Sequence, residues 1–349
     1  MSRSKDKDIN TLTVKTVPQL DLFEIFDTNQ RPQNRYSNTI ELYDALPKYN
    51  WAQRREYHDL EQAEIVRSCT IRNHEYKVVV KPAILKKRGK NILVYPGTRE
   101  EVVEDALRKL AVSGQGQLIE DNAGVSFTLG QLRNELRMMG HTFDISEIKE
   151  AIMVCRGAVI ECYGDSGETL ISSNFFPMIG LTSREKYVAE KDDARCYVMF
   201  NPLVTKSIMD LTFRQYNYKL GMELPSPLAR FMYKRMSHYW TQASDMKPYT
   251  PSLVSFLRQS PRGLSEDMYS NTRAMANALK VLIKHKVVSD YKEDVIKDGR
   301  KTVDVRYVIR PHEDFVKMVK AANYRANQIK EQVASAAVLR EVRRISTRR

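Results

Sequence analysis

No stretch of this 349-residue sequence approaches the about 20 consecutive apolar residues a helical membrane span needs, so no membrane role is expected. The opening MSRSKDKDIN is polar and lacks the apolar stretch of a secretory signal, which leads us to expect a cytoplasmic protein. Cysteine is scarce. Cys69, Cys155, Cys162 and Cys196 are scattered, and none forms a Cys-x-x-Cys pair. A reduced, cytosolic protein without structural zinc is therefore expected. The six histidines are isolated, with no His-x-x-x-His and no His-hydrophobic-His, so metal-dependent strand cleavage is not expected. Gly114-Gln115-Gly116-Gln117 lacks the Lys-Ser/Thr of a phosphate loop, and no Gly-x-Ser-x-Gly elbow surrounds a serine. The chain reads as no enzyme, with no metal and no cofactor.

Positive charge is abundant. The formal net charge is +13 and the isoelectric point about 9.4. An excess of this size marks a polyanion partner, nucleic acid being the commonest, or else a generically soluble basic protein.

Along the chain, residues 1–36 are polar and read as a flexible arm around the apolar stretch PQLDLFEIFD. Residues 37–96 read as a helix followed by a β-hairpin. In SNTIELYDALPKYNW, Ile40, Leu42, Tyr43 and Leu46 fall at helical spacing between a Ser37 or Asn38 cap and a Pro47 stop. YKVVVKPAIL and KNILVYP are β-branched runs flanking the basic turn KKRGK. Residues 97–222 read as a winged helix. A helix opens at Thr98, with Glu101 completing a capping box, and carries Val102, Val103, Ala106, Leu107 and Leu110 on one face before Gly114 closes it. The strand GVSFT, the helices LGQLRNELRMMG and DISEIKEAIMVCRG, and a hairpin around Asp165-Ser166-Gly167 follow. The strand RCYVMF and a helix starting near Asn201-Pro202 complete the unit.

The same order recurs over residues 223–311. There is a helix with Leu228, Phe231, Met232 and Met236 inward, then a short helix with Thr250 as cap and Pro251 at its first position. A long helix and a hairpin turning at Asp298-Gly299 complete the unit. Residues 312–349 read as an Ala-rich helix ending in the basic tail REVRRISTRR. The fold class expected is α+β: two tandem winged-helix domains, a flexible N-terminal arm and a basic C-terminal helix.

In a helix-turn-helix the second helix enters the major groove and its outward residues meet base edges. With Met275, Ala278, Leu279 and Leu282 inward, the opposite face carries Tyr269, Ser270, Asn271, Arg273, Asn277 and Lys280. Arg pairs with guanine, Asn with adenine, and Ser and Tyr reach phosphates. The following hairpin adds Lys292, Lys297, Arg300 and Lys301 for backbone or minor groove. Any solvated helix face also looks like this. In the first unit the corresponding helix carries Asp144, Ser146, Glu147, Lys149 and Glu150, whose carboxylates repel phosphate. Its basic contribution is expected from Arg133, Arg137 and the Lys86-Lys87-Arg88-Lys90 turn.

On RCYVMFNPLV, LPSPLARFMYKRMSHYW and TRAMANALKVLIKHKVV, the chain resembles plasmid replication initiators of the TrfA-like, iteron-binding group over roughly residues 95–310. Residues 36–95 have no counterpart that we can name. The resemblance implies binding of direct repeats (iterons) in double-stranded plasmid origin DNA, mostly as a monomer. It also implies melting of an adjacent A/T-rich region and recruitment of host helicase and initiator proteins. Dimers would limit copy number or repress the initiator's own gene. Gln19-Leu20-Asp21-Leu22-Phe23 resembles the bacterial sliding-clamp-binding pentad. Leu22 and Phe23 would fill an apolar pocket, Leu20 would cover its edge and the Gln19 amide would bond at the rim. The alternatives are a winged-helix transcriptional repressor on an operator and a protein scaffold without DNA affinity. For the pentad, the alternative is a short helix packed on its own domain.

Overall fold

The computed structural model describes residues 35–51, 56–57, 64–71, 74–87, 89–164, 166–182 and 195–346. The clamp-like pentad lies outside them.

The chain enters as strand β1 (Tyr36–Ile40) and a short helix α1 (Glu41–Ala45). The single helix expected from residue 37 is therefore half strand. Ser37 to Ile40 pair antiparallel with β13 (Phe213–Asn217), and a ladder partner overrides helical spacing. No side chain caps α1 from in front; instead Asp44 accepts from the Ile40 N–H at 2.7 Å.

The short β2 (Glu56–Tyr57) is followed by β3 (Ile65–Ile71) and β4 (His74–Lys81). Pro82 offers no N–H to a ladder, so the run YKVVVKPAIL breaks there and β5 (Ala83–Lys87) pairs instead with β6 (Lys90–Val94). Helix α2 (Thr98–Leu110) follows, and then a wide helical turn (Ala111–Gln115) that contains Gly114, whose φ of +89° suits glycine. The expected Thr98 cap sits one residue too late. Gly97 is the cap, and its N–H donates to Glu100 Oε2 at 2.7 Å, which frees Glu101 for other partners.

The rest of the first unit forms in the expected order. Strands β7 (Gly116–Ile119) and β8 (Asn122–Phe127) precede α3 (Leu129–Met138) and α4 (Ile145–Gly157), capped by Thr128 and Asp144. The wing β9 (Val159–Tyr163) and β10 (Thr169–Asn174) does not stand alone, because β4 pairs with β9 and gives the sheet order β10-β9-β4-β3. Strands β11 (Met178–Gly180) and β12 (Cys196–Met199) join β8 and β7, and α5 (Pro202–Met209) starts after the Asn201 cap. Strand β13 and α6 (Tyr218–Glu223) lead to the second unit.

That unit comprises α7 (Pro227–Tyr239), α8 (Leu253–Arg258), α9 (Met268–Lys284) and the wing β14 (Val288–Asp298) and β15 (Lys301–Pro311). Ser252, not Thr250, caps α8. Residues 249–252 are held extended because Tyr249 and Ser252 bridge to Ile309 and Arg306 on β15. The wing turns at Gly299-Arg300, one residue later than expected, with Gly299 at φ +58°. The long α10 (Glu313–Ser346) buries Phe315, Val319 and Ile329, and Arg214 of β13 donates to the Val319 carbonyl at 3.3 Å. The fold is thus two tandem winged helices, with the first wing widened to four strands.

Helix α2 is buried on every side. Val102, Val103, Ala106 and Leu107 are at most 1 % exposed, and Glu101, Glu104, Asp105 and Arg108 are buried as well. Its polar face meets cations of α7: Lys234 pairs with Asp105, and Arg230 lies 3.9 Å from Glu101. Residues 41–51 close the network. The Tyr49 hydroxyl donates to Glu104 and Trp51 Nε1 to Glu101 at 3.1 Å. Asp44, Glu101, Glu104 and Asp105 thereby face Lys48, Arg108, Arg230 and Lys234, a balanced set of eight charges joining the two units. Buried charges are tolerated because each has an opposite partner.

Candidate nucleic-acid interface

Helix α9 begins where Asp267 accepts from the N–H groups of Tyr269 and Ser270 at 3.1 and 2.9 Å. Its inward stripe, Met275, Ala278, Leu279 and Leu282, is fully buried, each large side chain contributing about 1.5–3 kcal/mol. That fixes the rotation of the helix. Arg273, Asn277 and Lys280 are exposed on the other side, and Tyr269 is 73 % exposed at its start.

Asn271 does not belong to that face. It is 0 % exposed, accepts from Arg262 Nη1 at 2.9 Å and from the Ser265 N–H at 3.0 Å, and donates to the Ser265 carbonyl at 2.7 Å. Its amide makes these three bonds inside the protein and has no exposed surface, which removes it from the candidate base contacts. Ser270 is half-buried, and its hydroxyl accepts from Arg262 Nη2 at 3.3 Å. Arg262, which sequence reasoning missed, binds these two neighbours and its own Gly263 carbonyl at 3.1 Å. The signal available in the sequence was a lone arginine in a Pro-Arg-Gly turn just before the helix.

The second wing projects beyond the body of its unit. Asp304, which pairs with Ile296 in the tip half of the hairpin, ties that strand to α8, accepting from the Ser252 hydroxyl at 2.5 Å and the Val254 N–H at 3.0 Å. From Lys292 to Val303 every residue except Thr302 is exposed, so Lys292, Lys297, Arg300 and Lys301 all stand in solvent on one hairpin. The structure therefore joins α9 and this wing in one unit, with Arg273, Asn277 and Lys280 on the helix and, among Glu293, Asp294 and Asp298, four cations on the exposed stretch 292–303 of the hairpin.

The first unit differs. Asp144 is a cap: its carboxylate accepts from the Glu147 N–H at 2.8 Å and the Ser146 hydroxyl at 2.7 Å, and these bonds hold it below the ordinary carboxylate range. Burial alone would raise the Glu150 carboxyl. Arg99 Nη2 at 2.9 Å and Lys87 Nζ at 3.3 Å reverse that and hold it low. The acidity of α4 is thus largely structural, and Lys87 of the basic turn is spent on it. Lys86 and Lys90 remain exposed, and Arg88 lies outside the described residues. Arg133 and Arg137 are exposed four residues apart on α3, in the other unit from α9.

Among the described residues no group of three or more His, Cys, Asp or Glu could hold a metal ion, and no helix is long and apolar enough to cross a membrane. The four cysteines are buried, with burial pushing the Cys69 thiol up to about 12 and Cys162 to about 11.

No protein-family model matches this sequence, and no curated protein matches it. Among solved structures the chain is similar to domains 2 and 3 of RctB, with a TM-score of 0.47 and 10 % identity over 78 % of this chain and 96 % of that one. A second structure of RctB domains 2–3 gives 0.44 and 11 %, covering 78 % and 98 %. The Pi initiator protein in complex with iteron DNA gives 0.41 and 15 %, covering 62 % of this chain and 91 % of that one.

Proposed function

We propose that the chain is a sequence-specific DNA-binding protein that initiates plasmid replication by binding direct repeats at an origin. The observation that carries the DNA-reading part is the second unit. A helix locked in rotation by a buried stripe presents Arg273, Asn277 and Lys280, and the same unit extends a free wing with four cations. Bidentate side chains on a fixed helix discriminate bases, while wing cations neutralise phosphates and set the register. The excess of 56 Lys and Arg over 43 Asp and Glu supports a polyanion as partner.

The replication role rests on the sequence resemblance and on the pentad Gln19-Leu20-Asp21-Leu22-Phe23, which lies outside the described residues. In this reading the protein uses no nucleotide, metal or other cofactor. Opening of an A/T-rich tract is driven by binding and by bending the duplex, at a cost of roughly 1–6 kcal/mol offset by added contacts. The sliding clamp and the host helicase and initiator proteins are the partners proposed.

Footprinting the purified protein on the DNA flanking its own gene tests the proposal. Protection of several direct repeats beside an A/T-rich tract supports initiation, protection of a lone inverted repeat supports a repressor, and no protection overturns DNA reading altogether.

A further inference from the structure

Arg67 lies on β3, in the part of the sequence for which no counterpart could be named. Its half-buried guanidinium holds three backbone carbonyls: Nη1 donates to Pro47 at 2.7 Å and Tyr49 at 2.6 Å, and Nη2 to Pro261 at 2.8 Å. No carboxylate of the described residues pairs with it, and burial lowers it to about 10, so it stays charged at neutral pH.

Pro261 directly precedes Arg262, and Arg262 grips Asn271 and Ser270 in the first turn of α9. A parallel tie runs beside it: Arg235 of α7 donates to Gln259 Oε1 at 2.6 Å and to the Thr70 carbonyl of β3 at 3.5 Å. Strand β3 is laddered to β4, and β4 to β9 of the first wing. Hydrogen bonds, joined through the Pro261–Arg262 peptide bond, therefore lead from the wing sheet of the first unit to the start of the helix assigned to DNA reading in the second.

We infer that Arg67 and Arg262 are positioning residues for DNA reading: Arg67 bolts the turn before α9 to the first unit, and Arg262 passes that constraint into the first turn of α9. The inference rests on the assignment of α9 as the DNA-reading helix. Its physical basis is the difference in tolerance between two kinds of contact. Base-edge hydrogen bonds demand an accurately placed helix, whereas phosphate contacts depend mainly on charge. The planar fork of arginine reaches several acceptors at fixed angles, and lysine keeps the charge but loses the fork. Neither guanidinium touches DNA in this scheme.

The test compares the parent protein with Arg67→Lys, Arg67→Gln and Arg262→Lys. The probes are the duplex that the parent selects from a randomised pool and a random duplex of equal length, titrated across a salt series, with thermal melting in parallel. We expect affinity for the selected duplex to fall about ten-fold. Affinity for the random duplex, the slope of log affinity against log salt, and cooperative melting should all be retained. Equal loss on both duplexes with a shallower salt slope would make these arginines phosphate contacts and overturn the inference. So would undiminished binding, or early melting of all three variants with equal loss on both probes. A parent that selects no duplex would instead remove the reading of α9 itself, whereas selective parent binding shared by every variant removes only the positioning role.

Discussion

Arg108 meets Asp44 with both ends of its guanidinium, Nη1 2.9 Å from Oδ2 and Nη2 2.8 Å from Oδ1. The pair joins α1 to α2, and Arg108 also lies 2.9 Å from Asp105, which in turn pairs with Lys234 of the second unit. One arginine thus neutralises carboxylates contributed by two elements. Arg108→Met keeps much of the volume and deletes the charge, leaving Asp44 with Lys48 alone and Asp105 with Lys234. Stability should drop by about 3–5 kcal/mol, since the remaining carboxylates stay buried and under-compensated. Chemical denaturation followed by circular dichroism checks this, and a loss below about 1 kcal/mol would show that water reaches the network.

The same network predicts acid lability. Burial alone would raise the Asp44 carboxyl, but the Arg108 guanidinium and Lys48 ammonium hold it far below its usual range. Asp105 is likewise held low against burial by Lys234 and Arg108. A carboxyl depressed in the folded state adds stability above its unfolded value of about 3.9, and that stability is lost as pH falls. Glu101 acts in the opposite sense. Burial keeps its carboxyl raised despite Arg230 and Lys234, so its protonation on mild acidification favours the folded state. The expected profile is a denaturation midpoint that holds or rises slightly on mild acidification, while Asp44 and Asp105 stay ionised, and falls steeply below about pH 4. Arg108→Met should flatten the low-pH fall, because Asp44 then loses its main partner.

Arg273 and Asn271 are two residues apart and should respond differently. Arg273→Ala should weaken binding to the cognate duplex by about 1–3 kcal/mol, leave the melting temperature unchanged and relax specificity at one base position. Asn271→Ala strands the Ser265 N–H and removes an acceptor from Arg262, so it should cost about 1–3 kcal/mol of stability. Binding isotherms with paired melting curves separate the two. An Asn271 variant that melts normally yet binds ten-fold more weakly would return Asn271 to the DNA surface.

Much of this arrangement was legible in the sequence. The stripe Met275, Ala278, Leu279 and Leu282 set the orientation of α9, and all four are fully buried. The order of helices and hairpins also follows from periodicity and turn chemistry. Asn271 misled because a polar residue near a helix start looks solvated, and its burial depends on Arg262 folding back from a preceding turn. The buried charges Glu101, Glu104 and Asp105 were not legible for a related reason. On helical spacing they form an outward polar face, and only the approach of Arg230 and Lys234, more than a hundred residues away, turns that face inward. Strand β1 was hidden because its partner, β13, is just as remote. Spacing within one element reports local periodicity and carries no information about which distant element will cover it.

The pentad Gln19-Leu20-Asp21-Leu22-Phe23 gives a prediction independent of both winged helices. Leu22 and Phe23 supply about 1.5–3 kcal/mol each if buried in a clamp groove, less the ordering of the segment, which corresponds to micromolar binding. Leu22→Ala with Phe23→Ala should abolish capture of the protein by immobilised bacterial sliding clamp while leaving affinity for the selected duplex unchanged. Loss of both activities together would place these residues in the folded core instead.

The second wing makes the most quantitative prediction, because its cations are exposed and Asp304 ties its strand to α8. Lys297, Arg300 and Lys301 surround the Gly299-Arg300 turn, where only Asp298 opposes them. If each neutralises one phosphate, binding releases one condensed counterion per contact, and the slope of log affinity against log salt should become shallower by about 0.9 for each residue changed to Ala. The effect should be the same on cognate and random duplexes, since phosphate contacts carry no base information. Salt titrations of the three single variants and the triple variant measure it. An unchanged slope in the triple variant would mean that the wing stands clear of the backbone, leaving α9 and the first unit to supply the charge.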